Sequence, residues 1–272
     1  MHHHALALVF LFGVLGAEAQ TNVTARPTPA SDPTAVSLAQ KSMAALTGGT
    51  PIFDITLTGN VISNLDSDND AGTGTFTAKG VAESRVDLML SAGTRTEIRD
   101  SQAGPSKGQW ISGNHNPKPM ISRNCTTDAA WFFPALTSLH GSPNRLLRYV
   151  GQETRNGVAV QHIRSYKFDP TLPQTVQTRH EALTAVDFYL DSSTLLPAAL
   201  SFSVHPDDGS DIDLPTVVEF SDYQSIKGIA VPMTIRRYLQ GNLLLEISVS
   251  NVTFNRGLAD TNFAIHPAQG GE

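Results

Sequence analysis

Asp187-Phe188-Tyr189-Leu190-Asp191-Ser192-Ser193-Thr194-Leu195-Leu196-Pro197-Ala198-Ala199-Leu200-Ser201-Phe202-Ser203-Val204 carries the reading on which the fold turns. Val186, Phe188 and Leu190 fall at every second place before an Asp-Ser-Ser-Thr reversal. Leu196, Ala198, Leu200, Phe202 and Val204 do the same after it. Side chains of a strand point alternately to its two faces, so this pattern gives each segment one face for a core and one for water. The segment predicts two antiparallel strands joined by a tight turn.

The same period of two recurs on both sides. Phe53, Ile55 and Leu57 alternate with polar residues, as do Val86, Leu88 and Leu90; further on come Ile229, Val231, Met233 and Ile235, then Leu243, Leu245, Ile247 and Val249. Asn156-Gly157 stands between strand-like runs over Leu146 to Glu153 and Val158 to Phe168, which is a strong hairpin signal. Lys227-Gly228 and Gln240-Gly241-Asn242 mark further reversals. Strand follows strand without intervening helices, so a doubly wound nucleotide-binding fold is disfavoured. Two helices are expected. Asp32-Pro33 supplies an N-cap and a first-turn proline ahead of Val36, Ala39, Met43 and Leu46, a stripe that stops at Gly48-Gly49. Thr127 to His140 is read as a second helix, broken by Pro134, with Trp131, Phe132 and Phe133 sweeping around its axis. It serves either as a core helix or as a lid whose second apolar face meets a guest.

At 272 residues, 40% hydrophobic and 16% charged, the chain is not a disordered one and can bury a sizeable core. The formal net charge of −6, with no basic run, leaves little for a nucleic-acid backbone to hold, so nucleic acid is not an expected partner. Cys125 is the single cysteine and cannot close an internal disulfide. The beginning reads as a signal peptide over residues 1–19: a polar start, an apolar run from Ala5 to Gly16, and Ala17-Glu18-Ala19 as the cleavage site. That predicts a periplasmic or secreted protein, with no transmembrane segment in the mature chain and a monomeric state. Residues 20–31 are a flexible leader rich in Thr and Pro, 32–265 a single domain, and 266–272 a short tail.

Chemistry-bearing patterns fail one by one. His180-Glu181 opens like a zinc-protease helix, but Thr184 stands where the second histidine is needed. Asp66, Asp68 and Asp70 resemble the start of a calcium loop, yet Ala71 replaces the expected glycine and Thr77 the bidentate glutamate, so a solvated hairpin tip explains them. Asp207 to Asp211 reads as another surface turn. There is no nucleophile elbow or phosphate loop; His115, His140, His162, His180, His205 and His266 are scattered singly. No metal, cofactor or catalytic residue is expected.

Asp187 to Pro197, followed by Phe220-Ser221-Asp222-Tyr223, Lys227-Gly228-Ile229-Ala230-Val231-Pro232, Asn251-Val252 and Leu258-Ala259-Asp260-Thr261-Asn262-Phe263, is similar in order and spacing to the C-terminal strands of the LolA-like superfamily of periplasmic lipoprotein carriers. The opening helix fits as well. The resemblance implies a mainly β (α+β) fold: a strongly curved, half-open antiparallel β-barrel whose concave apolar face is covered by α-helices. It also implies a non-enzymatic protein of the cell envelope that binds a lipid or a lipoprotein acyl chain. On that reading Trp131, Phe132, Phe133 and Leu136 are candidates for the lid, and Phe188, Leu190, Leu200, Phe202, Val231, Met233, Leu245 and Ile247 for the cavity wall. The arginine by which such carriers hold the lid has no counterpart in context at Arg85, Arg95 or Arg99. Two other readings use the same residues: a sensor module that binds an envelope protein, its cavity packed shut, and a hydrolase with a Ser/His/Asp site assembled by folding.

Overall fold

The computed structural model describes residues 27–65, 69–102, 106–113, 115–126, 128–141, 145–206 and 212–265. Residues 1–19, read above as a signal peptide, most of the expected leader, the expected tail, Asp66, Asp68 and Asp207 to Asp211, read as a surface turn, lie outside them.

The first helix, α1, runs over Pro33–Thr47. Asp32 caps it, its carboxylate accepting from the Thr34 N–H at 2.7 Å and the Ala35 N–H at 3.3 Å. Gly48 ends it in the left-handed conformation, φ 59°. Strands β1 (Asp54–Ser63), β2 (Asp70–Lys79), β3 (Glu83–Leu90), β4 (Gly93–Asp100), β5 (Lys107–Ser112) and the two-residue β6 (Lys118–Pro119) follow as a meander. After a crossover, β7 (Arg145–Arg155), β8 (Val158–Lys167), β9 (Val186–Asp191), β10 (Pro197–Val204), β11 (Leu214–Ile226), β12 (Ile229–Leu239) and β13 (Asn242–Phe254) form a second one. Together they make one antiparallel thirteen-stranded sheet in the order β6-β5-β4-β3-β2-β1-β13-β12-β11-β10-β9-β8-β7. β1 pairs with β13 and joins the two meanders; β6 and β7 stay as unpaired edges, so the barrel is half open.

Turn chemistry sets the registers. Asn156 (φ 50°) and Gly157 (φ 80°) close the β7–β8 hairpin, and Lys227-Gly228 and Gln240-Gly241 repeat the geometry. In the β9–β10 turn, Asp191 Oδ1 accepts from the Ser193 N–H at 2.9 Å and the Thr194 N–H at 2.8 Å. The registers shift at Thr58/Gly59, Tyr149/Gly151, Pro197/Ala199 and Arg237/Tyr238; such irregularities bend a sheet and raise its twist.

The alternating residues face one core. Ile55, Leu57, Val86, Leu88, Phe188, Leu190, Leu200, Phe202, Val231, Ile235, Leu245 and Ile247 are all buried in it. Phe53 is a correction: it precedes β1 and is 67% exposed. So is the second helix. A short α2 covers Ser122–Thr126, and beyond it the chain makes turns and two 3-10 segments, Pro134–Leu136 and Ser138–His140. Proline forces the residue before it into extended backbone, and Phe133 has φ −138°, ψ 101°, which no helix accommodates. The sequence reading also missed a helix, α3, over Gln174–Thr184, where of all the side chains only Gln177 and Thr184 are buried and no apolar stripe exists.

Candidate functional site

The connection from the β6 edge to the β7 edge runs through the concave face. Every residue from Asp128 to Leu139 is buried. Trp131 is 1% exposed, and Phe132 and Phe133 are fully enclosed. Phe76 on β2 meets Trp131 edge-on at 6.4 Å between ring centroids and Phe132 at 5.5 Å, and Phe133 meets Phe254 on β13 at 6.1 Å. Three consecutive aromatics directed around one axis require apolar surroundings on all sides, which the inside of a curved sheet supplies. Internal bonds hold the segment's polar groups. Asp128 accepts from the Ser138 N–H at 2.9 Å and its hydroxyl at 3.0 Å, and the Thr137 hydroxyl donates to the Pro134 carbonyl at 2.6 Å. Burial pushes the Asp128 carboxyl above the usual range, with Arg145 and Ser138 pulling it part of the way back.

Beside this filling lies open space. A cleft of about 690 Å³ is bounded by Met43, Ala44 and Thr47 of α1, by Thr50 to Phe53 leading into β1, by Gly80 and Val81 after β2, and by Ala135, Leu136 and Gly141 of the crossover. A second, of about 360 Å³, runs along the other flank of α1 past Val36, Ala39, Leu139 and Leu147, sharing Met43 and Gly141 with the first. The residues at the mouth of the larger cleft include Phe53 and Val81, both exposed. Large apolar side chains left in water beside an apolar hollow make this cleft the candidate site.

Of the lid and wall residues named from sequence, Leu136 lines this cleft. Trp131, Phe132 and Phe133 stand behind it, while Phe188, Leu190, Leu200, Phe202, Val231, Leu245 and Ile247 are packed in the core and Met233 is half-buried against it. Met43, Ala44, Ile52, Phe53 and Val81 were given no place in a site by the sequence reading, which put Met43 on the α1 stripe and Phe53 in the strand alternation. The available signal was the Pro51-Ile52-Phe53 run just past the glycine stop of α1, where consecutive apolar residues follow a turn.

The polar patterns find structural roles. Asp70 accepts from the Ser91 N–H at 2.9 Å and the Ala92 N–H at 3.2 Å, tying β2 to the β3–β4 turn. His162 has Nε2 2.7 Å from Asp187 and Nδ1 3.6 Å from Glu153, so both ring nitrogens face carboxylates and neither a serine hydroxyl. Thr184, in place of a second zinc histidine, returns its hydroxyl to the His180 carbonyl at 2.8 Å. Among the described residues no three His, Cys, Asp or Glu side chains are grouped to hold a metal ion. No helix among them is long and apolar enough to cross a membrane.

No family model matches the sequence, and no curated protein matches it. Solved structures do. A Vibrio parahaemolyticus domain, provisionally assigned as an outer membrane lipoprotein-sorting protein, aligns over 84% of this chain and 95% of its own at 15% identity, with a TM-score of 0.52. The fold is LolA-like. A DUF1329 family protein from Desulfovibrio piger superposes over 87% of this chain and 98% of its own at 12% identity and a TM-score of 0.55. At those identities the likeness concerns the LolA-like scaffold, a curved sheet around a covered concave face, and not its cargo.

Proposed function

We propose that this LolA-like protein is an exported, non-enzymatic carrier of the bacterial envelope that binds a lipid or lipoprotein acyl chain. The observation that carries the reading is the apolar cleft of about 690 Å³ between α1 and the crossover, with Phe53 and Val81 exposed at its mouth. Each methylene taken from water contributes about 0.8 kcal/mol, so partial enclosure of one chain suffices without covalent chemistry. Entry starts at Leu136. The chain deepens its contact as Trp131, Phe132 and Phe133 yield, which brings Phe188, Leu190, Leu200, Phe202, Val231, Met233, Leu245 and Ile247 within its reach as walls. Release is the return of those aromatics to the same space. Extraction of the protein purified from its own envelope, followed by lipid mass spectrometry, is expected to yield a stoichiometric acyl lipid; a lipid-free protein that also takes up none overturns the reading.

The filled concave face favours a second reading, a module on the same scaffold that binds an envelope protein. Cross-linking in the envelope that captures one membrane protein, with no lipid in the purified material, would support it.

A further inference from the structure

Far from α1, a cleft of about 230 Å³ opens between β4 and the ends of β10, β11 and β12, lined by Arg95, Glu97, Arg99, Arg237 and His205. The register places Glu97 opposite Val86 and Arg99 opposite Ser84, so the β4 side chains point to the concave face, and Arg237 shares that face with buried Ile235 two residues before it. β4 and β12 are not neighbours in the sheet. Curvature alone brings their charges together across the hollow.

Among the described residues of the cleft, Arg95, Arg99 and Arg237 face one carboxylate, Glu97. Arg95 takes Glu97 Oε1 at 3.2 Å. Arg99 and Arg237 are left with Oε2 at 3.9 and 4.0 Å, too long for good hydrogen bonds. Among the described residues, buried Arg99 Nη1, Arg237 Nε and His205 Nε2 have no hydrogen-bond partner. Arg99 is 4% exposed. Arg237 lies over the Trp131 ring at 4.8 Å, and burial pulls its pKa down to about 10 against the attraction of Glu97. Buried guanidinium groups are expected to be paired and fully hydrogen-bonded, and their planar fork matches the oxygens of phosphate. One wall is fixed: Asn124 donates to the His205 carbonyl at 2.7 Å and accepts its N–H at 2.8 Å.

We propose that this cleft binds a phosphate-type oxoanion, held by Arg99 and Arg237 from opposite sides of the concave face. The cleft is separate from the one beside α1, and Arg237 meets that reading only through its contact with Trp131. It lies at the Leu239 end of β12, whereas α1 ends against the Gly228 end, about 30 Å along the strand from Arg237 at roughly 3.3 Å per residue. The oxoanion is either free or the headgroup of a phospholipid.

Calorimetric titration of the full mature chain with inorganic phosphate, at constant ionic strength, tests it, with dihexanoyl phosphatidic acid as a second arm. Arg99→Met and Arg237→Met remove one charge each and keep most of the apolar stem, and circular dichroism checks that both variants fold. Each is expected to weaken binding about tenfold or more, and Glu97→Gln, which takes away the competing carboxylate, to tighten it by a similar factor. Phosphate binding with that pattern identifies a free anion as sufficient. The same pattern with phosphatidic acid alone identifies a headgroup. Absence of binding in both arms, or affinities indifferent to all three substitutions, overturns the proposal; Glu97→Gln keeps the test decisive if an arginine variant fails to fold.

Discussion

Asp187, on β9, shows how a single residue of the decisive stretch links pattern to energetics. It is read from sequence as a polar residue on the outward face, and there it meets His162 at 2.7 Å and Arg164 at 2.8 and 2.9 Å, both on β8. Burial pushes its carboxyl up, but the bonds from His162 and Arg164 outweigh that and hold it below the usual carboxylate range. A depressed folded value means that the contribution to stability is complete above the unfolded value of about 3.9 and is lost as pH falls through the lower folded one. Chemical denaturation of wild type and Asp187→Asn is therefore expected to show the variant less stable at neutral pH, with the gap closing below about pH 4. A gap that widens on acidification would contradict this. No periodicity revealed the pair; alternation says that Asp187 and Arg164 face outward, but only the β8–β9 register sets them opposite each other.

At the scale of elements, the close approach of β1 to β13 is what joins the two meanders. Gly59 sits at the register shift, and a Cβ built there would stand 2.2 Å from the Ser248 carbonyl oxygen. Backbone cannot retreat as a flexible side chain would, so Gly59→Ala is expected to cost about 1–3 kcal/mol, measured by urea denaturation. A variant as stable as wild type would mean that the strands separate there freely. Strands, hairpins and α1 were legible because each rests on a local rule: alternation, left-handed turn residues, a capping aspartate. The crossover was not. Trp131, Phe132 and Phe133 are apolar in every direction, which sequence alone reads as helix when the surroundings are unknown, and the filled interior of a curved sheet is a tertiary fact. α3 escaped for the opposite reason, having almost no buried face to leave a pattern.

For the whole molecule, the half-open barrel has its concave face filled by its own crossover and an apolar cleft beside α1. The cleft was not legible because its walls come from α1, the β1 entry, the β2 exit and the crossover, which nothing in the linear pattern associates. From sequence the lid role was assigned to this crossover, and the larger cleft lies between it and α1. Ala44 is an exposed position of α1 on the cleft wall, so a large side chain there occupies the cleft without entering the core. Native mass spectrometry of the mature chain with palmitate, comparing wild type with Ala44→Trp, tests the central claim most directly. One bound palmitate per wild-type chain is expected, reduced about tenfold or more in a correctly folded variant, since several buried methylenes at about 0.8 kcal/mol each are lost. A wild type that takes up no palmitate, or a variant that holds it equally well, would contradict the account.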